Sequence, residues 1–146
     1  MKLLDRSFQS LTDADLPQVW EDFRNSDTAI AIDLSYNEAT INEVRIPADL
    51  EDLEYLYLYK SNIKSVVLEG SLPKLSILHI GENQLENFRL PAGFPELEHL
   101  RLDKNQLKTL EFEDPSQLKS MRSLFLKENQ IENIPPEIVG EDENCW

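Results

Sequence analysis

Residues 97–107 read LEHLRLDKNQL, and closely related versions of this pattern occur four more times along the chain. The related segments are AIAIDLSYNEA from Ala29, LEYLYLYKSNI from Leu53, LSILHIGENQL from Leu75 and MRSLFLKENQI from Met121. The polar position falls at steps of 24, 22, 22 and 24 residues, on Asn37, Ser61, Asn83, Asn105 and Asn129. A period this regular over several matching positions indicates a solenoid of stacked repeats.

Apolar side chains alternate within each repeat, as Leu100 and Leu102 do. Alternation with period two puts these leucines on one face of a short strand, where they point into the coil. One strand per repeat then predicts a parallel sheet. The returning segments 66–68, 88–90 and 110–112 are short and rich in strand-forming residues, which predicts extended pieces and no long helices.

The pattern L-x-x-L-x-L-x-x-N-x-L resembles the leucine-rich repeat, over about residues 29–136. The resemblance implies an α/β solenoid, a right-handed coil with a parallel β-sheet on its concave face and short extended or turn segments on its convex face. It also implies that the asparagine side chains bond buried backbone groups of neighbouring turns. The first two repeats depart from the pattern at Ala29, Ala39 and Ser61, so we expect an irregular first turn.

The segments on either side of the repeats are expected to cover the ends of the solenoid, because a terminal repeat exposes its apolar interior. Residues 1–28 predict an N-terminal helical cap, with Thr12 as a candidate helix cap. Residues 137–146 are an acidic tail or partial cap, in which Trp146 either folds back as a lid or leaves an open edge that could dimerise. We expect one structural domain and favour a monomer over a homo-oligomer. The apolar residues of the predicted helix recur at helical spacing: Leu16, Val19, Trp20 and Phe23.

The composition is strongly acidic. The 146 residues include 14 Lys and Arg and 28 Asp and Glu, for a net charge of −14. Such a charge repels nucleic acid and anionic membranes, so neither is an expected partner. No apolar run reaches the roughly 18 to 20 residues that span a bilayer, and no signal peptide is evident. We therefore expect a cytoplasmic protein, with a non-cleaved secretion route left open.

The sequence offers no catalytic constellation. Its single cysteine, Cys145, has no histidine near it and can form no intrachain disulfide. The four glycines are scattered, so no phosphate-binding loop is predicted. His79 and His99 fall one pleat apart on neighbouring strands, about 7 to 8 Å from each other, which is poor geometry for a metal. We expect no enzyme activity, no cofactor and no metal site.

The concave face carries the functional prediction. Twenty positions between the core leucines are expected to point outward, and they hold all four tyrosines, both histidines, four basic and four acidic residues. The acids that give the chain its charge therefore lie elsewhere, on turns and on the convex side. Aromatic residues together with arginine are typical of protein contact surfaces. The predicted partner-binding residues are Tyr36, Tyr55, Tyr57, Tyr59, His79, His99, Arg101, Asp103, Phe125 and Lys127.

These observations predict a protein-binding module that recognises a protein partner through its aromatic concave face. The tyrosines and Phe125 would supply apolar area, and Arg101 would orient a carboxylate or carbonyl of the partner. Tyrosine also has a high strand propensity, so some of these rings could serve packing within the sheet alone. A second hypothesis is an acidic inhibitor or immunity-type protein that blocks a partner enzyme, with Glu111, Glu113 and Asp114 as its contact residues.

Overall fold

The computed structural model describes residues 2–38 and 41–132, which form a parallel β-solenoid. The predictions for Ala39, for Cys145 and for the tail at 137–146 with Trp146 lie outside the described residues. The elements in chain order are β1 (Lys2–Asp5), a 3-10 turn (Asp13–Asp15), α1 (Leu16–Arg24), β2 (Ala29–Asp33), β3 (Glu43–Ile46), β4 (Tyr55–Tyr57), β5 (Ser65–Leu68), β6 (Ile77–His79), β7 (Asn87–Leu90), β8 (His99–Arg101), β9 (Thr109–Phe112), α2 (Gln117–Ser120) and β10 (Ser123–Phe125).

One strand from each turn enters a long parallel sheet of six strands, in the order β1, β2, β4, β6, β8 and β10. From β2 to β10 the strands pair without a register shift. The predicted parallel sheet and its steps of 24, 22, 22 and 24 residues are thereby confirmed. One row of register partners runs across these strands through Ala31, Tyr55, Ile77, His99 and Ser123.

The returning segments form two short parallel sheets, β3 with β5 and β7 with β9. The extended pieces predicted at 66–68, 88–90 and 110–112 fall within β5, β7 and β9, so this prediction is confirmed. Strand β3 was not predicted, because it follows the most divergent repeat. Buried residues of the long sheet and of the short sheets belong to one apolar cluster, so the core lies between them.

The core leucines alternate with outward residues as the pattern requires. Leu56, Leu78 and Leu100 are each the central residue of a three-residue strand and are 0% exposed, whereas both flanking residues of each strand are half-buried. Fully burying such a side chain stabilises the fold by about 1.5 to 3 kcal/mol relative to leaving it exposed. The solenoid is therefore stabilised mainly by leucine stacking from turn to turn.

The asparagine column forms a ladder of buried hydrogen bonds. The side-chain amide of Asn83 donates to the carbonyls of Leu58 and Ile80, at 2.6 and 3.0 Å. Its oxygen accepts the backbone N–H groups of Ser61 and Ile63, at 2.9 and 3.0 Å. Leu58, Ser61 and Ile63 all belong to the preceding turn, so the expected bonding of neighbouring turns is confirmed. Asn37, Asn105 and Asn129 make equivalent bonds.

Ser61 takes the place of asparagine in this ladder, and its side chain is shorter than that of asparagine. Its hydroxyl donates to the Leu34 carbonyl at 3.2 Å and accepts the Asn37 N–H at 3.1 Å. The hydroxyl therefore still joins its turn to the preceding one, although it offers fewer donors than an amide.

The residue directly before each ladder position has a left-handed backbone, with φ between 50° and 61°. None of these residues is glycine, although this conformation costs L-residues about 1 kcal/mol or more. The repeating turn therefore imposes the same strained geometry once per repeat. The five residues are Tyr36, Lys60, Glu82, Lys104 and Glu128, and Phe8 adopts the same conformation after β1.

Thr12 precedes a 3-10 turn and not the α-helix itself, so α1 begins at Leu16, later than a cap at Thr12 implies. The N–H and hydroxyl of Thr12 both donate to the Asp15 carboxylate, at 2.8 and 3.1 Å, and fix this turn. Neither helix of the described residues is long and apolar enough to cross a membrane. The four apolar residues predicted for the helix are all buried in the core cluster: Leu16, Val19, Trp20 and Phe23.

Strand β1 is a feature that the sequence analysis did not predict. It pairs in parallel with β2, and Asp5 is the register partner of Asp33. Beyond β1, the backbone N–H groups of Arg6 and Phe8 donate to the carbonyls of Asp33 and Ser35. The segment 1–28 therefore contains a strand of the long sheet as well as the helix.

Candidate functional site

The outward residues of the long sheet form ordered rows across the strands. We call this surface the long-sheet face; it comprises the outward positions of β1, β2, β4, β6, β8 and β10 and of the turns that directly follow these strands. Its central row of register partners runs through Asp5, Asp33, Tyr57, His79, Arg101 and Phe125. Neighbours in such a row are spaced by the strand separation, about 4.8 Å. Four predicted partner-binding residues, Tyr57, His79, Arg101 and Phe125, therefore lie in one row, and two aspartates extend it.

Aromatic rings make a second, continuous line near the ends of the strands. Phe8 stacks on Tyr36 with ring centroids 4.5 Å apart and planes 6° from parallel. Tyr36 meets Tyr59 edge to face at 5.5 Å, and Tyr59 lies 5.0 Å from the ring of His79. We call these four residues the aromatic ladder. Pairs of this kind contribute about 0.5 to 1.5 kcal/mol beyond their buried area.

Phe8 is the one residue of the aromatic ladder that was not predicted from the sequence. Its side chain is 72% exposed although it is large and apolar. The signal was present in the sequence, because Asp5-Arg6-Ser7-Phe8 matches Asp33-Leu34-Ser35-Tyr36 at the outward positions. Arg6 stands where that repeat has a core leucine, and this concealed the match.

Arg101 is held by groups of its own chain. Its Nε and Nη2 atoms donate to the two carboxylate oxygens of Asp103 at 3.2 and 3.3 Å, and its guanidinium carbon lies 4.7 Å from the centre of the Phe125 ring. The Nε and Nη2 atoms form the edge of the guanidinium that best fits a carboxylate, and Asp103 already occupies it. The planar group instead presents a preorganised cationic and aromatic surface with Phe125.

His79 lies at the centre of the face, among groups from four strands. Tyr57 and Arg101 are its register partners on either side, and Tyr59 packs against its ring. Its Nε2 atom is buried and has no hydrogen-bond partner among the described residues. Burial lowers the pKa of His79 below its usual 6.5, and the positive charge of Arg101 lowers it further, against the opposing charges of Asp103 and Asp33. The neutral imidazole is therefore favoured.

Tyr57 lies between Asp33 and His79 in the central row. Burial raises the pKa of its hydroxyl above the usual 10.0, and Tyr55 and Asp33 raise it further. The hydroxyl remains protonated and can donate a hydrogen bond. The half-buried ring with this donor is typical of residues that anchor protein contacts.

The remaining predicted residues lie toward the far edge of the face. His99 pairs with Ile77 and Ser123 on its two sides, and its Nδ1 lies 3.0 Å from the Ser123 hydroxyl oxygen. Glu98 approaches the His99 Nε2 atom to 4.0 Å, an acid that the sequence analysis did not place there. Lys127 is exposed in the turn after β10. His79 and His99 are not register partners, as expected from the pleat.

The acidic residues of the inhibitor hypothesis lie on and just after β9, on the side of the solenoid opposite the long-sheet face; we call this side the back. Glu111 and Glu113 each lie 3.3 Å from the guanidinium of Arg89. Asp114 accepts the N–H and hydroxyl of Ser116 at 3.1 and 2.6 Å. The three acids of the inhibitor hypothesis are thus exposed, but their charge is partly engaged within the chain.

Other parts of the described structure offer less to a ligand. Among residues 2–38 and 41–132, no three His, Cys, Asp or Glu residues cluster in a way that could hold a metal. A cleft of about 400 Å³ is lined by residues of α1 and β3, including Trp20, Arg24 and Arg45. Arg24 bonds Asp49 at 2.9 Å and Arg45 bonds Glu43 at 3.4 Å, so both cations in this cleft are neutralised locally.

Comparison with known proteins gives one informative similarity. The chain is 33% identical over 115 residues, or 77% of its length, to a protein named Roc-COR-CHAT protease from an unknown prokaryotic organism. The chain spans only 8% of the length of that relative. No protein-family model matches the chain, and no solved structure matches it.

Proposed function

We propose that this chain is a leucine-rich-repeat module that binds a protein partner through the long-sheet face. The observation that carries the proposal is the central row with its aromatic ladder: packed rings, a preorganised arginine and a half-buried histidine on one exposed sheet surface. Contact hot spots in proteins are enriched in tyrosine and arginine and lie in such partly desolvated surroundings.

The assignment to the leucine-rich-repeat class is supported by two features. The strand spacing of 22 to 24 residues lies in the range of that repeat. The hydrogen bonds of Asn83 and its equivalents join successive turns, as the resemblance implies. Within this proposal the long-sheet face is the concave side, and α1 covers the first turn with its buried face.

A rigid scaffold favours this role energetically. The rings of the aromatic ladder already pack against one another, so they lose little conformational freedom when a partner binds. Binding by a preformed surface needs no catalytic group, and we propose no enzyme activity for the chain. The named relative is a protease, but the matching stretch is 8% of its length. The proposal for this chain is a recognition unit.

The test uses photocrosslinking from defined positions. We would place p-benzoylphenylalanine at residue 57 on the face and at residue 67 on β5 of the back, where Val67 is similarly half-buried. The proposal predicts a discrete cross-linked partner from position 57 and none from position 67. It also predicts that Tyr57→Ala weakens capture of that partner by about 1 to 3 kcal/mol without unfolding the chain. Equal cross-linking from both positions would contradict it.

The dependence of binding on salt concentration distinguishes the inhibitor hypothesis from binding through the long-sheet face. Binding driven by exposed acids weakens steeply with ionic strength, since screening acts within about 10 Å at 0.1 M salt. Binding through buried rings depends on salt only weakly. The pairing of Glu111 and Glu113 with Arg89 supports the first proposal, because their charge is partly neutralised before any partner arrives.

A further inference from the structure

Two carboxylates lie side by side at one end of the long-sheet face. Asp5 and Asp33 are direct register partners on β1 and β2, and Tyr57 is the next residue of the same row. Like charges opposite each other on neighbouring strands destabilise a sheet. The two aspartates therefore repel each other across the strands, and this cost is set against the hydrogen bond that each makes within its own turn.

The two aspartates also repeat the same hydrogen bonding. Each uses Oδ1 to accept the N–H of the serine two residues later, Ser7 or Ser35, both at 2.9 Å. Among the residues that the structure describes, no Lys, Arg or His side chain pairs with either carboxylate. The nearest arginine in sequence, Arg6, bonds Asp22 at 3.3 Å instead. The hydrogen bonds from Ser7 and, to a smaller extent, the charge of the neighbouring Arg6 lower the pKa of the Asp5 carboxyl, so Asp5 is partly compensated within the chain. Asp33 is the carboxylate of this end that no cation of the described residues bonds.

The opposite end of the face has the same ingredients and a cation as well. Arg101 lies over the Phe125 ring and donates to Asp103 with two nitrogen atoms. A carboxylate, an aromatic ring and a guanidinium together form one compact cluster there. At the other end, the Asp33 carboxylate and the Tyr57 ring are neighbours in the same row. Compared with the Arg101 cluster, this end has the carboxylate and the ring but no guanidinium.

We propose that the part of the long-sheet face on β1, β2 and β4 binds an arginine side chain from an extended segment of the protein partner. The inference rests on the proposed function and adds the chemistry of the partner. The guanidinium would bond the Asp33 carboxylate and stack on the Tyr57 ring, as Arg101 does with Asp103 and Phe125. Asp5 adds a second negative charge one strand away.

Arginine suits this position better than lysine does. Its planar group bonds a carboxylate with two nitrogen atoms and stacks on aromatic faces at the same time. An extended segment that crosses the strands meets a new strand about every 4.8 Å, so the aromatic ladder can contact its neighbouring side chains.

The first test is an NMR titration of the ¹⁵N-labelled chain with acetyl-tetra-arginine amide, and with acetyl-tetra-glutamate amide for comparison. The arginine peptide is expected to shift the amide signals of residues 31–36 and 55–59, and the glutamate peptide is expected to leave them unchanged. Shifts spread evenly over the back, equal shifts with the glutamate peptide, or no shifts at millimolar peptide would overturn the inference.

Matched variants separate a local site from general charge attraction. Asp33→Asn keeps an oxygen for the Ser35 N–H, so the fold is preserved, and Asp27→Asn makes the same charge change at an exposed residue off the sheet. Asp33→Asn is expected to weaken binding of the arginine peptide about tenfold, and Asp27→Asn less than about twofold. Equal weakening in the two variants would refute the site.

The native partner distinguishes this inference from the proposed function. If Tyr57→Ala weakens its binding and Asp33→Asn does not, the long-sheet face is the binding surface and the arginine site is wrong. If neither variant weakens binding, the proposed function itself is wrong. If both weaken it and Asp27→Asn does not, both stand.

Discussion

The imidazole of His79 lies directly against Gly81, two residues further along the chain. A Cβ atom at residue 81 would lie 3.0 Å from Nε2 of His79. Gly81 is thus the small residue that leaves room for the half-buried histidine on the face, and the substitution of this glycine tests the packing of the site.

Gly81→Ala is expected to lower the free energy of unfolding by about 1 to 3 kcal/mol, since the new methyl group overpacks against His79 and Asp103. Urea denaturation measures the change. In a His79→Ala background the same substitution should cost at least about 1 kcal/mol less, because the ring it strikes is gone. An equal cost in both backgrounds would show that the ring is not the obstacle.

His79 should make stability depend on pH. Because its folded pKa is lowered, the unfolded chain binds the proton more tightly, and the stability associated with neutral His79 is present above pH 6.5 and lost as the pH falls through the lower folded value. Wild type should therefore lose free energy of unfolding relative to His79→Gln between about pH 7 and pH 5. An NMR titration in a His99→Gln background reports His79 alone. A midpoint at or above 6.5 would contradict the prediction.

Asn83→Ala should be among the most destabilising single changes of a polar residue. It removes the donor to the Leu58 and Ile80 carbonyls and leaves the Ser61 and Ile63 N–H groups buried without an acceptor. A loss of about 2 to 4 kcal/mol is expected. The exposed Asn42 provides a control, for which Asn42→Ala should change stability by less than about 0.5 kcal/mol. Similar losses in both variants would argue against the ladder.

Lys60→Gly should stabilise the chain. Lys60 has φ of 50°, in the left-handed region that glycine enters without steric cost. Relief of the strain, about 1 to 2 kcal/mol, exceeds the entropic cost of a new glycine, about 0.5 to 1 kcal/mol, so the free energy of unfolding is expected to rise by about 0.5 to 1 kcal/mol. Lys64→Gly, at an exposed lysine without a positive φ, should instead lower it by about 0.5 to 1 kcal/mol. Thermal unfolding of both variants measures these changes. A loss of stability in Lys60→Gly would contradict the inferred strain at residue 60.

The spacing of the strands was predictable because burial acts on a simple alternation. Leucines at Leu100 and Leu102 and their equivalents determine which residues point inward, and register follows from stacking equal turns. The row from Tyr57 to Phe125 could therefore be predicted from position alone. What position does not determine is how a side chain is used, which depends on its rotamer and its neighbours.

Arg101 illustrates that difference. Its position in the sequence predicts that it orients a group of the partner, but Asp103, two residues later on the same side, already accepts hydrogen bonds from two of its nitrogen atoms. Strand β1 was missed for another reason. An edge strand packs on one neighbour only, so half-buried Leu4 and exposed Leu3 suffice, and the leucine pattern that identified the other strands is weak there.

The asparagine ladder has a direction. Asn83 serves N–H and carbonyl groups of the turn before it, as Asn105 and Asn129 do for theirs. A turn that has just left the ribosome therefore lacks the acceptors and donors it needs until the next turn has been synthesised. Folding during synthesis should lag behind chain growth by one turn, about 22 to 24 residues, at every step along the solenoid.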